Sequence, residues 1–134
     1  MPSIFSKIIA GEVPCHKLAE DEHSFAFLDI NPNAPGHALV VPKREVDRYF
    51  DLEDQELARL NQFAKKVARA LEAVVPCQRV GVAIVGLEVP HAHVHLIPLR
   101  AMDDFHFNKP KPKPTHEELA QLADKIRQQF DRMP

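Results

Sequence analysis

Apolar residues recur along this chain with two different periods, and the switches between them mark the elements. Ile4, Phe5, Ile8 and Ile9 fall at helical spacing and are closed by Gly11 and Pro14, so residues 4–10 are expected to form a short helix. Residues 15–20 and 24–30 read as strands joined by a tight hairpin at the acidic Glu20-Asp21-Glu22. The turn-forming stretch Asn31-Pro32-Asn33-Ala34-Pro35-Gly36 leads into a third strand, residues 37–41, stopped by Pro42.

Leu57, Leu60, Ala64, Val67, Leu71 and Val74 then alternate by three and four. They make one apolar stripe on a long helix over residues 53–75, with Asp51 as the expected N-cap and Pro76 as the stop. A fourth strand is expected at 78–85, with Val80, Val82 and Ile84 on one face, and a fifth at 90–99. Lys109-Pro110-Lys111-Pro112-Lys113-Pro114 is an extended, polyproline-like linker. Thr115-His116-Glu117-Glu118 is a capping box opening a last helix, whose apolar face is Leu119, Leu122, Ile126 and Phe130. Antiparallel strands beside separated helices predict an α+β domain.

Composition narrows the function. With 134 residues, 45% apolar and 27% charged, the chain suits one globular domain, which excludes disorder, collagen and coiled coil. A net charge of -2 argues against a nucleic-acid polymer held by a broad basic field, yet leaves room for a small anion. Cys15 and Cys77 stand apart and outside any C-x-x-C pattern, which fits a reducing, cytoplasmic setting. No signal peptide is read in Met1–Lys7, and no stretch has the length of a membrane span. The unusual feature is eight histidines beside one Tyr and no Trp.

Three of those histidines alternate in His91-Ala92-His93-Val94-His95-Leu96-Ile97. On a strand, the period of two sends all three imidazoles to one face and Ala92, Val94 and Leu96 to the other. A row of rings on a packed backing can do two things. It can hold a transition metal such as zinc, although three ligands along one flat strand converge poorly on one ion. Alternatively, a neutral imidazole can be the nucleophile toward an electrophile such as phosphorus, while its neighbours bind the anion and manage protons.

The motif resembles the signature of the histidine triad family of nucleotide hydrolases and transferases. The likeness extends to Ile4–Pro14, to Phe25-Ala26-Phe27-Leu28-Asp29-Ile30-Asn31-Pro32, and to Ala34–Lys43, which carries a fourth histidine. It covers about the first three-quarters of the chain and implies a triad domain over residues 1–108. Residues 109–134, the linker and last helix, are expected to complete the same compact unit. The implied fold is an antiparallel sheet of about five strands with one long central helix, a short N-terminal helix and a C-terminal helix.

By resemblance, His93 attacks the α-phosphorus of a nucleotide, a nucleotidyl-histidine forms, and water releases the nucleoside monophosphate. His95 would contact the phosphate, His37 and His91 would complete a hydrogen-bonded cluster, and the His91 carbonyl would fix the tautomer of His93. Asp29 would hold the ribose, with Ile4, Phe5, Ile8, Phe27, Ile30 and Leu39 lining the base pocket. Purine nucleoside phosphoramidates are the first expected substrates and dinucleoside polyphosphates the second. The implied assembly is a homodimer, with no cofactor, nucleic-acid polymer or membrane partner. The rival class is a nucleotide-binding regulatory module with little or no turnover.

Two departures from the family pattern bear on function. Gly86-Leu87-Glu88-Val89-Pro90 puts Glu88 where a hydroxyl residue normally assists the leaving group. A buried Glu88 could act as general acid, its pKa raised by desolvation, or it could pair with Lys43 or Arg100. Some family members also carry a structural zinc on a C-x-x-C and two histidines. Here the two cysteine positions hold Ser3 and Ser6, and one histidine position holds Glu45, so no structural zinc is expected. His16, His23, His106 and His116 are expected at the surface.

Overall fold

A computed structural model describes residues 2–134. Helix α1 spans Ile4–Ile9, α2 spans Asp54–Val74 and α3 spans His116–Arg132. Strands β1 (Lys17–Glu20), β2 (Ser24–Leu28), β3 (Ala38–Pro42), β4 (Arg79–Ala83) and β5 (Val94–Leu99) form one sheet in the order β1-β2-β3-β5-β4. Every neighbouring pair is antiparallel. The α+β architecture is therefore the expected one.

Strand alternation divides the molecule into two apolar layers. Ala26, Leu28, Ala38, Val40, Val94 and Leu96 face α2 and α3. Phe25, Phe27, Leu39 and Val41 face the other way and are covered by Phe5, Ile8 and Ile9 of α1. Because both faces are covered, β2 and β3 are buried along their whole length. The expected stripe of α2 is there, widened by Phe63 and Ala70. Helix α3 adds Leu119, Ala123 and Ile126 to the same core, so the tail beyond the linker packs on the sheet side shared with α2.

Three local expectations are corrected. Asp51 does not cap α2; it closes a 3-10 turn over Tyr49–Asp51, and Glu53 is the N-cap, its backbone N–H bonded to Glu56. The fifth strand begins at Val94 rather than residue 90. Pro90 has no N–H to give, and the Ala92 N–H bonds to the Val46 carbonyl (2.7 Å) instead of a ladder partner. The fourth strand ends at Ala83 rather than residue 85, so Ile84 lies beyond it, and on this sheet edge Val82 is 57% exposed.

Gly36 sets the entry to β3. Its φ of +88° is the left-handed conformation, and a Cβ there would meet Val75 at 2.9 Å and Pro98 at 3.0 Å. Only glycine lets the Asn31–Gly36 turn deliver His37 beneath the sheet.

Candidate active site

Cross-strand register assembles the site. Phe27 pairs with Leu39, Leu39 with His95 and His95 with Ala83, so the His95 ring shares the face that carries Phe25, Phe27 and α1. His93 lies two residues earlier on the same side, its ring centroid 4.9 Å from Phe5 and 5.0 Å from His95. His37 enters from the turn before β3. All four histidines, His37, His91, His93 and His95, are buried, against the usual habit of this residue type.

Hydrogen bonds decide the tautomer of each ring. The Asn33 N–H donates to His37 Nδ1 (2.9 Å), so that nitrogen is an acceptor and the proton sits on Nε2. His37 Nε2–H then donates to His95 Nδ1 (2.9 Å), which leaves His95 with a proton on Nε2. His93 Nδ1–H donates to the His91 carbonyl (2.7 Å), leaving a free lone pair on His93 Nε2. Neither His93 Nε2 nor His95 Nε2 has a partner among the described residues. A bare nucleophilic nitrogen and an unsatisfied N–H donor thus stand next to each other.

The ring of His91 departs from the expectation. Its Nε2–H donates to the Pro42 carbonyl (2.8 Å), and Nδ1 accepts from the Ser3 hydroxyl (2.7 Å). His91 therefore serves His93 through its backbone carbonyl, while its ring ties β3 to α1. Ser3 also caps α1, its Oγ accepting from the Ser6 N–H (3.0 Å), and Glu45 accepts from the Ser3 N–H (2.7 Å) and the Ser6 hydroxyl (2.6 Å). Two hydroxyls, a carboxylate and a buried imidazole, already satisfied by one another, do not fit the thiolate-rich zinc site of some relatives.

Burial shapes the electrostatics. It pushes the His37 pKa down to about 3 and that of His95 down to about 4, with neighbouring histidines adding to both. His91 and His93 are lowered for the same first reason. All four rings are neutral near pH 7, as a nitrogen nucleophile requires. Asp29 sits beside them, Oδ2 lying 3.7 Å from His37 Nε2 while Oδ1 accepts from the Asn31 N–H (2.8 Å). Burial raises its pKa, opposed by that N–H. Donor atoms of Asp29, His37 and His95 lie within 4.8 Å of one another, a spacing one ion can bridge. His37 Nε2 and His95 Nδ1 are, however, already engaged with each other.

Among the residues expected to line the base pocket, Phe5, Phe27 and Leu39 are buried in one cluster with Ile8 against it. Ile4 is 43% and Ile30 58% exposed, so these two stand outside that buried cluster. Glu88 is exposed, which removes the burial on which its acid role rested; its charge instead acts on His93 and Asp29 from outside. It makes no ion pair with Lys43 or Arg100: Lys43 pairs with Glu20 (2.7 Å). Cys15 and Cys77 are free thiols, and His16 lies against His116 far from the cluster.

A family model for the HIT domain matches residues 10–102. The chain belongs to the HIT family. It is 44% identical over 102 residues to an uncharacterized HIT-like protein of Methanocaldococcus jannaschii, covering 71% of this chain and 77% of that one. It is also 44% identical over 99 residues to the adenosine 5'-monophosphoramidase of Saccharomyces cerevisiae, covering 72% of this chain and 62% of the yeast protein. Among solved structures, a Hit-like protein from Bartonella henselae superposes with a TM-score of 0.82 at 30% identity, covering 95% of each chain. The HIT match ends at residue 102, and the tail beyond it lies outside the family likeness. In that tail Phe107 packs on His37 and His95, and only tertiary structure places it there.

Proposed function

We propose that this HIT protein is a nucleotidyl hydrolase or transferase that cleaves the α-phosphate bond of purine nucleoside phosphoramidates, with dinucleoside polyphosphates as second substrates. The observation that carries the reading is the free Nε2 lone pair of His93, held by the His91 carbonyl and set beside the unsatisfied Nε2–H of His95. His93 Nε2 attacks the α-phosphorus and the bond to the leaving nitrogen breaks. Water then attacks the nucleotidyl-histidine, the P–N bond to His93 breaks, and the nucleoside monophosphate leaves. The proton that the leaving amine takes in the first step is replaced by the one the attacking water yields in the second. His95 steadies the phosphoryl oxygens through its N–H, which matters most as their charge builds.

Asp29 is assigned to the ribose hydroxyls, and Ile4, Phe5, Ile8, Phe27, Ile30 and Leu39 to the base. Similarity to the yeast monophosphoramidase supports a nitrogen leaving group. A homodimer is part of the proposal. Strand β4 is a free edge, and beside it Val82, Ile84 and Val85 are exposed together with Leu87 at 88%. Antiparallel pairing with a second copy would cover that edge. No helix among the described residues is long and apolar enough to cross a membrane, and a cytoplasmic setting is proposed from the cysteine usage.

The test mixes the protein with a fluorogenic adenosine phosphoramidate. Turnover and an adenylyl adduct mapped to His93, both lost in His93→Ala, are expected. Binding without turnover, unchanged in His93→Ala, would mean a nucleotide-binding regulatory module instead. Activity lost to a chelator would point to a metal.

A further inference from the structure

The segment between β5 and α3 reaches the histidines. After a 3-10 turn over Met102–Phe105, Phe107 sets its ring edge-on to His95 and His37, with centroids 5.1 and 6.2 Å apart. Lys111 then folds back over Phe107. Its Nζ lies 5.7 Å from the ring centroid and 3.4 Å from the Asn31 carbonyl oxygen. Asn31 is the residue whose N–H holds the Asp29 carboxylate, so the ammonium arrives at the Asp29 side of the cluster.

The charge of Lys111 is uncommitted. Lys109, two residues earlier, is spent on Asp103 (3.1 Å) and Asp104 (3.8 Å). Among the described residues Lys111 has no carboxylate within 4.0 Å, although its field reaches Asp29, His37 and His95. Proline on both sides, Pro110 and Pro112, keeps the backbone extended and lowers the entropy of holding the side chain in place. Neutral imidazoles give a phosphate donors but no formal positive charge. A phosphate buried among them needs a cation nearby to offset its desolvation.

We propose that Lys111 is a phosphate-binding residue of this site, brought by the linker strap to the Asp29–His37–His95 side, where it recognises the anionic phosphate of a nucleoside 5'-phosphate. This rests on the nucleotide reading above and adds to it a residue outside the matched family region. Phe107 is the positioning residue that seats the strap on the rings.

The experiment titrates the full chain with adenosine and with AMP, following binding calorimetrically. For Lys111→Gln, AMP affinity is expected to drop at least ~5-fold while adenosine affinity stays within about twofold, since only the charged contact is removed. Lys111→Arg should recover most of the AMP affinity. Wild-type AMP binding should weaken with salt more steeply than that of Lys111→Gln. Equal AMP affinity in wild type and Lys111→Gln would overturn the proposal while leaving the nucleotide reading intact. Parallel loss of adenosine and AMP would also overturn it, since the strap would then be structural only. Wild-type protein that binds neither ligand would overturn the nucleotide reading and this proposal with it.

Discussion

His37 donates from Nε2 to Nδ1 of His95 across 2.9 Å, joining the entry of β3 to β5 through two buried rings. The bond leaves His95 only one arrangement, with Nε2–H free. Removing the donor in His37→Ala frees His95 to adopt the tautomer that points a lone pair at phosphate oxygen. The expected result is a fall in kcat of roughly 10–100-fold, the cost of one well-placed buried hydrogen bond. Steady-state kinetics measures it, and nitrogen chemical shifts of the His95 ring should report mixed tautomers. Undiminished kcat would show that the His37 bond does not orient catalysis.

Stability should fall with acid. An unfolded imidazole protonates near 6.5, whereas folded His37 and His95 resist until about 3 and about 4. Between those values the unfolded chain binds more protons, so stability drops as pH is lowered, by up to ~1.4 kcal/mol per pH unit for each ring. Glu45 acts in the same direction below its ordinary 4.5, because bonds from Ser3 and Ser6 hold it down to about 2. Urea midpoints at pH 7, 6 and 5 should decrease in order, and a flat series would contradict the buried neutral cluster.

Ser3 joins two structures at once. Its hydroxyl caps α1 and donates to His91, and α1 carries the Phe5 ring that packs on His93. Ser3→Ala is expected to cost ~1–3 kcal/mol from the lost cap and the unpaired buried nitrogen. Denaturant unfolding tests this, and nucleotide affinity should weaken with it because Ile4, Phe5 and Ile8 lose their anchor.

Glu88 presents its charge to His93 and Asp29, beside the proposed phosphate site. Glu88→Gln should therefore tighten AMP binding by about 2–5-fold, the scale of one exposed charge, with little change in single-turnover rates across leaving groups. Slower rates confined to the poorest leaving groups would restore an acid role for Glu88.

Val82, exposed on the edge strand, tests the assembly. Val82→Lys should convert the proposed dimer to monomer, as measured by light scattering, because edge lysines oppose strand pairing. A wild-type monomer, or an unchanged dimer in Val82→Lys, would move the interface elsewhere.

Much of this protein was written into short-range pattern. Apolar runs bounded by turn residues marked β2 and β3, and period-three-and-four spacing from Leu57 to Val74 marked α2, because strand and helix periodicity are local properties of the backbone geometry. The row of His91, His93 and His95 was visible in the same way. What each histidine does was not. His91 lost its ring to Ser3 and Pro42, His95 took its tautomer from His37, and Phe107 and Lys111 came from a segment outside the family match. Residue identity determined which groups could carry protons and charge. The choice of partners joins residues as many as 88 positions apart, as for Ser3 and His91, and only the packed sheet, bringing those segments within hydrogen-bond reach, could decide it.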